Sequence, residues 1–188
     1  MSNPKSKIQN QKSAERQLHI VTSSVEETQA IGEQVGRALR PGDVVALHGE
    51  LGSGKTTLIQ GIARGLGRDP ETIKSPTFVL MREYPPGPPA ATAGAGGEVP
   101  VVHIDGYRLE GPPAVSWLDV DLMFSPHKIT LIEWAERFAG LLPDDILTVR
   151  LAHVSTNRRR LTLQSTGPRS QELLAGLKPP TVHADAGH

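Results

Sequence analysis

The sequence feature that most restricts the possible folds of this chain is the glycine-rich string GELGSGKTT at residues 49–57. The apolar run VVAL at residues 44–47 precedes the string and predicts a strand that is buried on both faces. After the string, apolar residues recur at helical spacing, including Leu58, Ile62 and Leu66, and predict a helix with one buried face. The order of strand, glycine loop and helix is the arrangement in which phosphate-binding loops occur.

The residue types of this string suit the binding of a nucleoside triphosphate. Glycine has no Cβ and tolerates positive φ, so the loop can turn sharply and bring backbone N–H groups close to an anion. The N-terminus of the following helix adds positive partial charge. We expect Lys55 to contact the β- and γ-phosphates, Thr56 to coordinate Mg²⁺ and Thr57 to contact the α-phosphate. The residues predicted to bind ATP or GTP here are Gly52, Ser53, Gly54, Lys55, Thr56 and Thr57.

Two carboxylates follow predicted strands and are candidates to complete this site. Asp105 ends the run VVHID, and Glu133 ends the run ITLIE. A phosphate-binding loop of this type needs a carboxylate at the end of a neighbouring strand to complete the metal coordination. A second carboxylate can orient the attacking water. From the residues alone, either acid can take either role.

Further patterns predict the remaining elements. Strands are expected at residues 17–22, 77–84, 101–105, 129–132, 146–151 and 160–164. Ser24 with Glu27, or Ser23 with Glu26, has the spacing of a capping box at the start of a helix. Residues 115–124 are expected to be partly helical. Together these elements predict an α/β protein with a three-layer fold of the P-loop NTPase type and a mixed central sheet.

The distribution of proline, glycine and polar residues predicts the domain organisation. Residues 1–16 are polar and residues 168–188 are polar with prolines, so both are expected to be disordered tails. Residues 17–167 are expected to form one P-loop ATPase domain. Within it, residues 85–100, PPGPPAATAGAGGEVP, are expected to form a flexible insertion between two antiparallel strands.

The overall composition excludes several other classes of protein. The formal net charge is zero, which disfavours a large sequence-independent grip on DNA or RNA. The absence of cysteine excludes disulfides and thiol chemistry. No apolar run approaches the ~20 residues that span a bilayer, and the N-terminus lacks the apolar segment of a secretory signal. We therefore expect a cytoplasmic protein without membrane contact.

Four separated motifs together resemble one known family. They are GELGSGKTT at 49–57, SPTF at 75–78, HIDGYRL at 103–109 and IEWAER at 132–137. Their order and spacing closely resemble the TsaE (YjeE) family of small bacterial P-loop ATPases, which are needed for the threonylcarbamoyl modification of adenosine in tRNA. The resemblance extends from about residue 18 to about residue 165, so it is more specific than the glycine-rich string alone.

The resemblance implies a role for each matching position. Lys55 and Thr56 would bind phosphate and Mg²⁺, Glu133 would be the second metal ligand, and Asp105 would support hydrolysis near the γ-phosphate. Residues 75–77 would form a switch-like loop beside the nucleotide. The residues implied to border the adenine are Val25, Thr28, Asn157 and Arg158.

The chain departs from the family pattern in two places. Position 106 is glycine in HIDGYR, where the family usually has leucine. The insertion at residues 85–100 is longer than usual. Neither departure falls on the residues expected to bind the nucleotide or the metal.

The function implied by the resemblance is ATP hydrolysis that activates or resets a complex of TsaB and TsaD. In that view the partners perform the transfer chemistry, and tRNA is reached only through the complex. A small-molecule kinase and an adaptor that binds ATP without hydrolysing it remain alternatives. Residues 85–100 contain no arginine or lysine to act as a kinase lid, and the guanine-reading Asn-Lys-x-Asp string is absent, which favours ATP over GTP.

Three further residues near these motifs have more than one interpretation. His103 shares a strand face with Asp105 and is either a functional base or a structural histidine. Arg108 is a γ-phosphate sensor, part of a partner surface or a simple surface charge. Trp134 is expected to pack beside Glu133 and to hold that acid in position.

Overall fold

The computed structural model describes residues 16–87, 96–109 and 119–178. Within these ranges the sheet contains β1 (Gln17–Thr22), β2 (Val44–His48), β3 (Met81–Tyr84), β4 (Val101–Asp105), β5 (Ile129–Glu133), β6 (Leu147–His153) and β7 (Arg159–Ser165). The helices are α1 (Val25–Ala38), α2 (Lys55–Gly65), α3 (Val120–Met123) and α4 (Pro168–Gly176), with 3₁₀ turns at Pro70–Thr72 and Ala135–Phe138. None of the helices in these ranges has the length and apolar character needed to cross a membrane.

The seven strands form one mixed sheet in the order β1-β7-β6-β2-β5-β4-β3. The pairs β2–β5, β2–β6 and β4–β5 are parallel, whereas β1–β7, β6–β7 and β3–β4 are antiparallel. This arrangement confirms the predicted α/β fold with a mixed central sheet and the antiparallel pairing across the insertion. Because the carboxyl ends of parallel strands meet at one edge, β2, β4 and β5 all end on the side where the glycine-rich loop lies.

The core lies on both faces of the central strands. On one face Val45 and Leu47 of β2 pack with α1 and α2, and on the other Val44 and Ala46 pack with the 3₁₀ turn that contains Phe138. All five residues of β4 and of β5 are buried, and the aliphatic residues of both strands belong to the core on one face or the other. Full burial of such aliphatic side chains stabilises the fold by about 1.5–3 kcal/mol each.

Helices α1 and α2 approach each other through glycines. A Cβ on Gly32 would lie 2.3 Å from the Leu58 carbonyl oxygen, and one on Gly61 would lie 2.2 Å from the Gln29 carbonyl oxygen. Larger residues at these positions would push the helices apart. The contact therefore fixes the position of α2, and with it the position of the loop that precedes α2.

The predicted start of α1 is confirmed, with one difference in detail. The Glu27 N–H donates to Ser24 Oγ at 3.1 Å, so Ser24 is the N-cap residue. The Glu27 carboxylate accepts from the N–H of Ser23 at 2.6 Å, one residue before the cap. The reciprocal pairing of a capping box is thus shifted outward by one residue.

The strand predicted at residues 77–84 is shorter than expected, because only β3 pairs with β4. The N–H groups of Val79 and Leu80 both donate to the Pro76 carbonyl oxygen, at 2.9 and 2.8 Å. Leu80 adopts φ 65°, which a regular strand does not allow. The residues before β3 therefore form a turn that faces the edge where β4 and β5 end.

The expectation of disorder from residue 168 is wrong for α4. Pro168 occupies the first turn, where proline is well suited to a helix, and the Asp145 carboxylate accepts from the N–H groups of Arg169 and Ser170 at 2.7 and 2.9 Å. Leu173 is buried in the core. Because the capping group comes from a distant segment, the local composition did not reveal the helix. Residues 1–15 and 179–188 of the two predicted tails lie outside the described residues.

The ends of the predicted insertion are packed. Arg68 donates to the carbonyl oxygens of Pro85 and Val99, and the side chain of Val99 packs against the core. The Gly87 N–H donates to the Gly97 carbonyl oxygen at 3.1 Å, so the two ends lie side by side. The middle of the insertion, residues 88–95, lies outside the described residues, as does the part of the predicted helix before residue 119.

Candidate functional site

A cavity of about 430 Å³ opens at the edge of the sheet where β4 and β5 end. Its lining combines the glycine-rich loop and first turn of α2 with three segments distant in the sequence. The lining residues are Leu51, Gly52, Gly54, Lys55, Thr56, Thr57, Ser75, Thr77, Phe78, Asp105, Tyr107, Arg108, Glu133 and Trp134. Of the residues predicted from the sequence to bind phosphate or metal, only Ser53, which is buried, is absent from this lining.

The backbone of the loop requires its glycines. Gly49 has φ 142° and a Cβ there would lie 2.3 Å from the Leu151 carbonyl oxygen. Gly54 has φ 102° and a Cβ there would meet the Arg159 side chain at 2.9 Å. Gly54 is also the N-cap of α2, where no side chain caps the helix. The first N–H groups of a helix lack partners within it, so this N-terminus favours a bound anion.

Lys55 is folded back onto its own loop. Its ammonium group donates to the carbonyl oxygens of Gly49 at 2.7 Å and Glu50 at 3.0 Å. The same nitrogen lies 4.0 Å from the ring centroid of Trp134, a cation–π geometry. Burial lowers the pKa of Lys55, and neighbouring carboxylates, Glu133 first among them, oppose that shift. The positive charge thus lies at the cavity wall and is held by neutral acceptors.

Thr56 and Glu133 form a pair of oxygen donors. The Thr56 hydroxyl lies 2.9 and 3.0 Å from the two oxygens of the Glu133 carboxylate, which is buried at the end of β5. The His103 Nε2 atom lies 3.0 Å from Oε1 of the same carboxylate. A hydroxyl beside a carboxylate is the kind of hard oxygen set that Mg²⁺ prefers, so these residues fit the metal that the sequence predicts.

Asp105 is hydrogen-bonded to the segment that precedes β3. Its Oδ2 accepts from the hydroxyl groups of Ser75 and Thr77, and its Oδ1 accepts from the Tyr107 N–H at 2.8 Å. The parallel register pairs Asp105 directly with Glu133. The two predicted acids therefore meet at one edge, where Glu133 is linked to Thr56 and Asp105 is linked to the 75–77 segment.

Aromatic residues form part of the cavity wall and mouth. Trp134 has φ 57°, a strained value for a bulky residue, and its ring lies 5.2 Å from the ring of Tyr107. Arg108 stacks over the ring of Phe78 at 4.5 Å, and Phe78 is 86% exposed. Trp134 therefore packs on Lys55 of the glycine-rich loop, and it directly follows Glu133 in the chain.

The four residues expected to border the adenine do not line this cavity. Val25 is exposed at the start of α1, whereas the buried Thr28 hydroxyl is bonded to Thr22 at 2.8 Å and to the Ser24 carbonyl oxygen at 2.9 Å. Asn157 and Arg158 lie exposed in the turn between β6 and β7. Their segments are nevertheless close to the loop, because Thr22 pairs with Arg159 and Arg159 contacts Gly54. Their contact with adenine stays a prediction.

Sequence reasoning missed several of the contacts made by side chains. Neither the hydrogen bond between His103 and Glu133 nor those of Ser75 and Thr77 with Asp105 was predicted. A usable signal existed for the histidine, since alternate residues of a strand share a face and His103 and Asp105 are two apart. For the Ser75 segment the signal was its turn-forming SPT string, which the apolar residues that follow obscured.

Comparisons with known proteins show which family this chain resembles. The sequence pattern of the family described as "Threonylcarbamoyl adenosine biosynthesis protein TsaE" matches residues 22–161. The chain is 34% identical over 158 residues to "tRNA threonylcarbamoyladenosine biosynthesis protein TsaE" of Bacillus subtilis (strain 168), which covers 84% of this chain and 92% of the relative. It is 38% identical over 122 residues to the protein of that name from Streptomyces coelicolor, covering 64% and 76%.

A solved structure is similar over most of its length. The crystal structure of Bacillus subtilis YdiB is 31% identical, with a TM-score of 0.68, and the match covers 87% of this chain and 95% of that one. The match with the family, residues 22–161, includes every residue that lines the cavity. This chain therefore belongs to the TsaE family and has its P-loop NTPase-type fold.

Proposed function

We propose that this protein binds ATP with Mg²⁺ in the cavity, hydrolyses it, and thereby serves the threonylcarbamoyl modification of adenosine in tRNA. One observation carries the proposal: Lys55, Thr56, Asp105 and Glu133 converge on a single cavity at the N-terminus of α2. Family membership supports the pathway, since the relatives compared above are named for threonylcarbamoyladenosine biosynthesis.

The phosphates would be held by the glycine-rich loop, the N-terminus of α2 and Lys55. To contact a phosphate, Lys55 exchanges its bonds with the Gly49 and Glu50 carbonyl oxygens for bonds with anionic oxygens. Bonds between a cation and an anion are stronger than bonds with neutral carbonyls, which favours the exchange. Trp134 stays over the same side of the lysine and limits its access to water.

Thr56 and Glu133 would hold Mg²⁺. When bound, the metal neutralises charge on the phosphates and polarises the phosphoryl group that is attacked. Glu133 is buried and already bonded to Thr56, so the two donors are in place together. Asp105 then takes the other role, in which its carboxylate orients the attacking water.

Asp105 can take that role only if its hydrogen bonds change. The hydroxyl groups of Ser75 and Thr77 both donate to Oδ2 of Asp105. The 75–77 segment therefore occupies the carboxylate oxygen that a water molecule would use. We infer that this segment shifts with the state of the nucleotide and frees Asp105 for hydrolysis. Turnover by the isolated protein is then slow, and a partner that moves the segment accelerates it.

The partners that we propose are TsaB and TsaD, in the cytoplasm, with tRNA reached through their complex. The protein would activate or reset that complex through ATP binding and hydrolysis, and the transfer of the threonylcarbamoyl group would belong to the partners. A kinase would need a second substrate in the same cavity, and a non-hydrolysing adaptor would bind ATP without turnover.

The test is hydrolysis of Mg·ATP by this protein alone and with TsaB, TsaD and tRNA added singly and together. We expect a slow basal rate, no hydrolysis by Thr56→Ala, and a higher wild-type rate when TsaB and TsaD are both present. Binding of ATP without turnover under every condition would instead support the adaptor. Phosphate transfer to an added small molecule would support the kinase.

A further inference from the structure

His103 is a completely buried histidine beside the proposed metal site. It is the third residue of β4 and shares a strand face with Asp105. The hydrogen bond of its ring is directed to the next strand, where Nε2 lies 3.0 Å from Oε1 of Glu133. The hydrogen bonds of Asp105 come from Ser75, Thr77 and the Tyr107 backbone, so His103 serves Glu133 and not Asp105.

The surroundings of the ring show which nitrogen donates. A carboxylate oxygen only accepts, so the short contact with Glu133 places the imidazole proton on Nε2. The other nitrogen, Nδ1, is buried without a hydrogen-bond partner among the described residues. The ring also borders a small cavity whose walls are mostly apolar, including Ile59, Ile73 and Leu131. In the part of the chain that the structure describes, the hydrogen bond to the Glu133 carboxylate is thus the one polar contact of this ring.

We propose that His103 is a positioning residue that orients the Glu133 carboxylate for Mg²⁺. The inference rests on the proposed function, in which Glu133 and Thr56 hold the metal. Among the described residues, Glu133 has two side-chain donors, the Thr56 hydroxyl and the His103 ring, and they approach it from α2 and from β4. The Thr56 hydroxyl would be shared with the metal, whereas the His103 ring has no other hydrogen-bond partner among the described residues, so His103 is the donor committed to the carboxylate throughout.

An outer partner of this kind has a measurable effect. A carboxylate that is already oriented loses less rotational freedom when a metal binds, and the loss of such a partner typically lowers metal affinity about 10–100-fold. A histidine that only fills space in the core would contribute to folding but not to the affinity for Mg²⁺. The distinction is therefore between an effect on stability alone and an effect on metal binding.

Two amide variants separate these roles. In His103→Gln the side-chain NH₂ group reaches the position of Nε2 and can still donate to Glu133. In His103→Asn the amide reaches only as far as Nδ1, and the donor is lost. Both place a neutral amide in the same buried position, so their effects on folding are comparable. Melting curves of both variants without ligand give the effect on stability directly.

The measurement is titration calorimetry of ADP binding, first in EDTA and then at increasing Mg²⁺ concentration. ADP is not hydrolysed, so the result does not depend on activity. We expect wild type and His103→Gln to show similar apparent affinities for Mg²⁺, within about threefold, and His103→Asn to lose about 10–100-fold. Binding of ADP in EDTA should be the same for all three proteins.

Two results would overturn the inference while leaving the proposed function intact. One is an unchanged Mg²⁺ affinity in His103→Asn despite a lower melting temperature. The other is an equal loss in His103→Asn and His103→Gln, which would mean that the donor at Nε2 is not what matters. If wild type itself showed no effect of Mg²⁺ on ADP binding, the proposed function would fail first, and the inference with it.

Discussion

At the scale of single residues, the charged and polar side chains of the cavity already form hydrogen bonds with neighbouring groups. Lys55 is bonded to the carbonyl oxygens of its own loop, and Thr56 to Glu133. Asp105 is bonded to Ser75 and Thr77. Each of these contacts places a charge in the cavity without leaving it unpaired, which limits the cost of burying it. Under the proposed function each of these contacts changes when Mg·ATP binds, so single substitutions should separate their roles.

The first prediction concerns the loop lysine. Lys55→Ala is expected to raise the Kd for Mg·ATP by about 100-fold or more, roughly 3 kcal/mol, because the phosphates lose their principal side-chain cation. Titration calorimetry with Mg·ATP checks this. Lys178→Ala, at an exposed position after α4, is the matched control and should bind like wild type. An unchanged affinity in Lys55→Ala would show that the phosphates bind elsewhere.

The second prediction separates the two acids. Asp105→Asn is expected to slow single-turnover hydrolysis by about 100-fold while Mg²⁺ affinity changes little, because a water-orienting carboxylate acts on the chemical step. Glu133→Gln is expected to lower Mg²⁺ affinity by at least about tenfold, roughly 1.4 kcal/mol, because a ligand charge is lost. Rates and Mg²⁺ dependence are measured for both, with and without TsaB and TsaD. Normal hydrolysis by Asp105→Asn with partners present would remove the proposed role of Asp105.

At the scale of elements, the contact between α1 and α2 positions the loop. The two helices meet through glycines, with no room for a methyl group at Gly32 or Gly61. Strands β4 and β5 are aligned so that Asp105 and Glu133 are direct partners, which brings both acids to the same level of the sheet edge. The site therefore depends on how closely these elements approach one another.

The third prediction tests that closeness. Gly61→Ala is expected to lower the free energy of unfolding by about 1–3 kcal/mol, because a Cβ there would lie 2.2 Å from the Gln29 carbonyl oxygen. Gly176→Ala in α4 is the matched control, since nothing lies within 4 Å of its added Cβ. The control should leave stability unchanged or raise it by up to about 1 kcal/mol. Urea unfolding measures the free energy of unfolding of both variants. Equal changes in the two variants would show that the helices can separate at little cost.

At the scale of the whole molecule, the sheet brings together groups that are far apart in the chain. Thr56, Asp105 and Glu133 belong to three different elements, and they meet because β2, β5 and β4 are neighbouring parallel strands. The chain between β3 and β4 leaves from the opposite end of these strands, where Val101 pairs with Tyr84. Changes in that connection should therefore leave the cavity intact.

The fourth prediction concerns this connection. Replacement of residues 88–95 by two glycines is expected to change the free energy of unfolding by less than about 0.5 kcal/mol, because the flanking Gly87 and Gly97 are already hydrogen-bonded and closing a loop depends weakly on its length. Binding of Mg·ATP should be unchanged. Replacement of all of residues 85–100 is the contrasting variant, since it removes both carbonyl partners of Arg68. That variant should be less stable, and equal stability of the two would show that the packed ends contribute nothing.

The sequence by itself determined the features that depend on local order along the chain. Glycines between an apolar strand and a helical stripe predicted the loop, and acids that end apolar runs predicted Asp105 and Glu133 as site residues. These local features are present in the structure because strand ends and helix starts are set by residues within a few positions of each other, whereas the binding roles of Asp105 and Glu133 stay predictions. The family resemblance implied TsaB and TsaD as partners, which the residues alone left open, and this implication stays a prediction.

Only the tertiary structure decided which of these groups touch. It paired Glu133 with Thr56 and His103, and it paired Asp105 with the turn before β3. It also formed α4 in a segment expected to be disordered, because Asp145 caps that helix from another part of the chain. These contacts join residues that are far apart in sequence, so they depend on strand order and register, and no pattern within a short window contains that information.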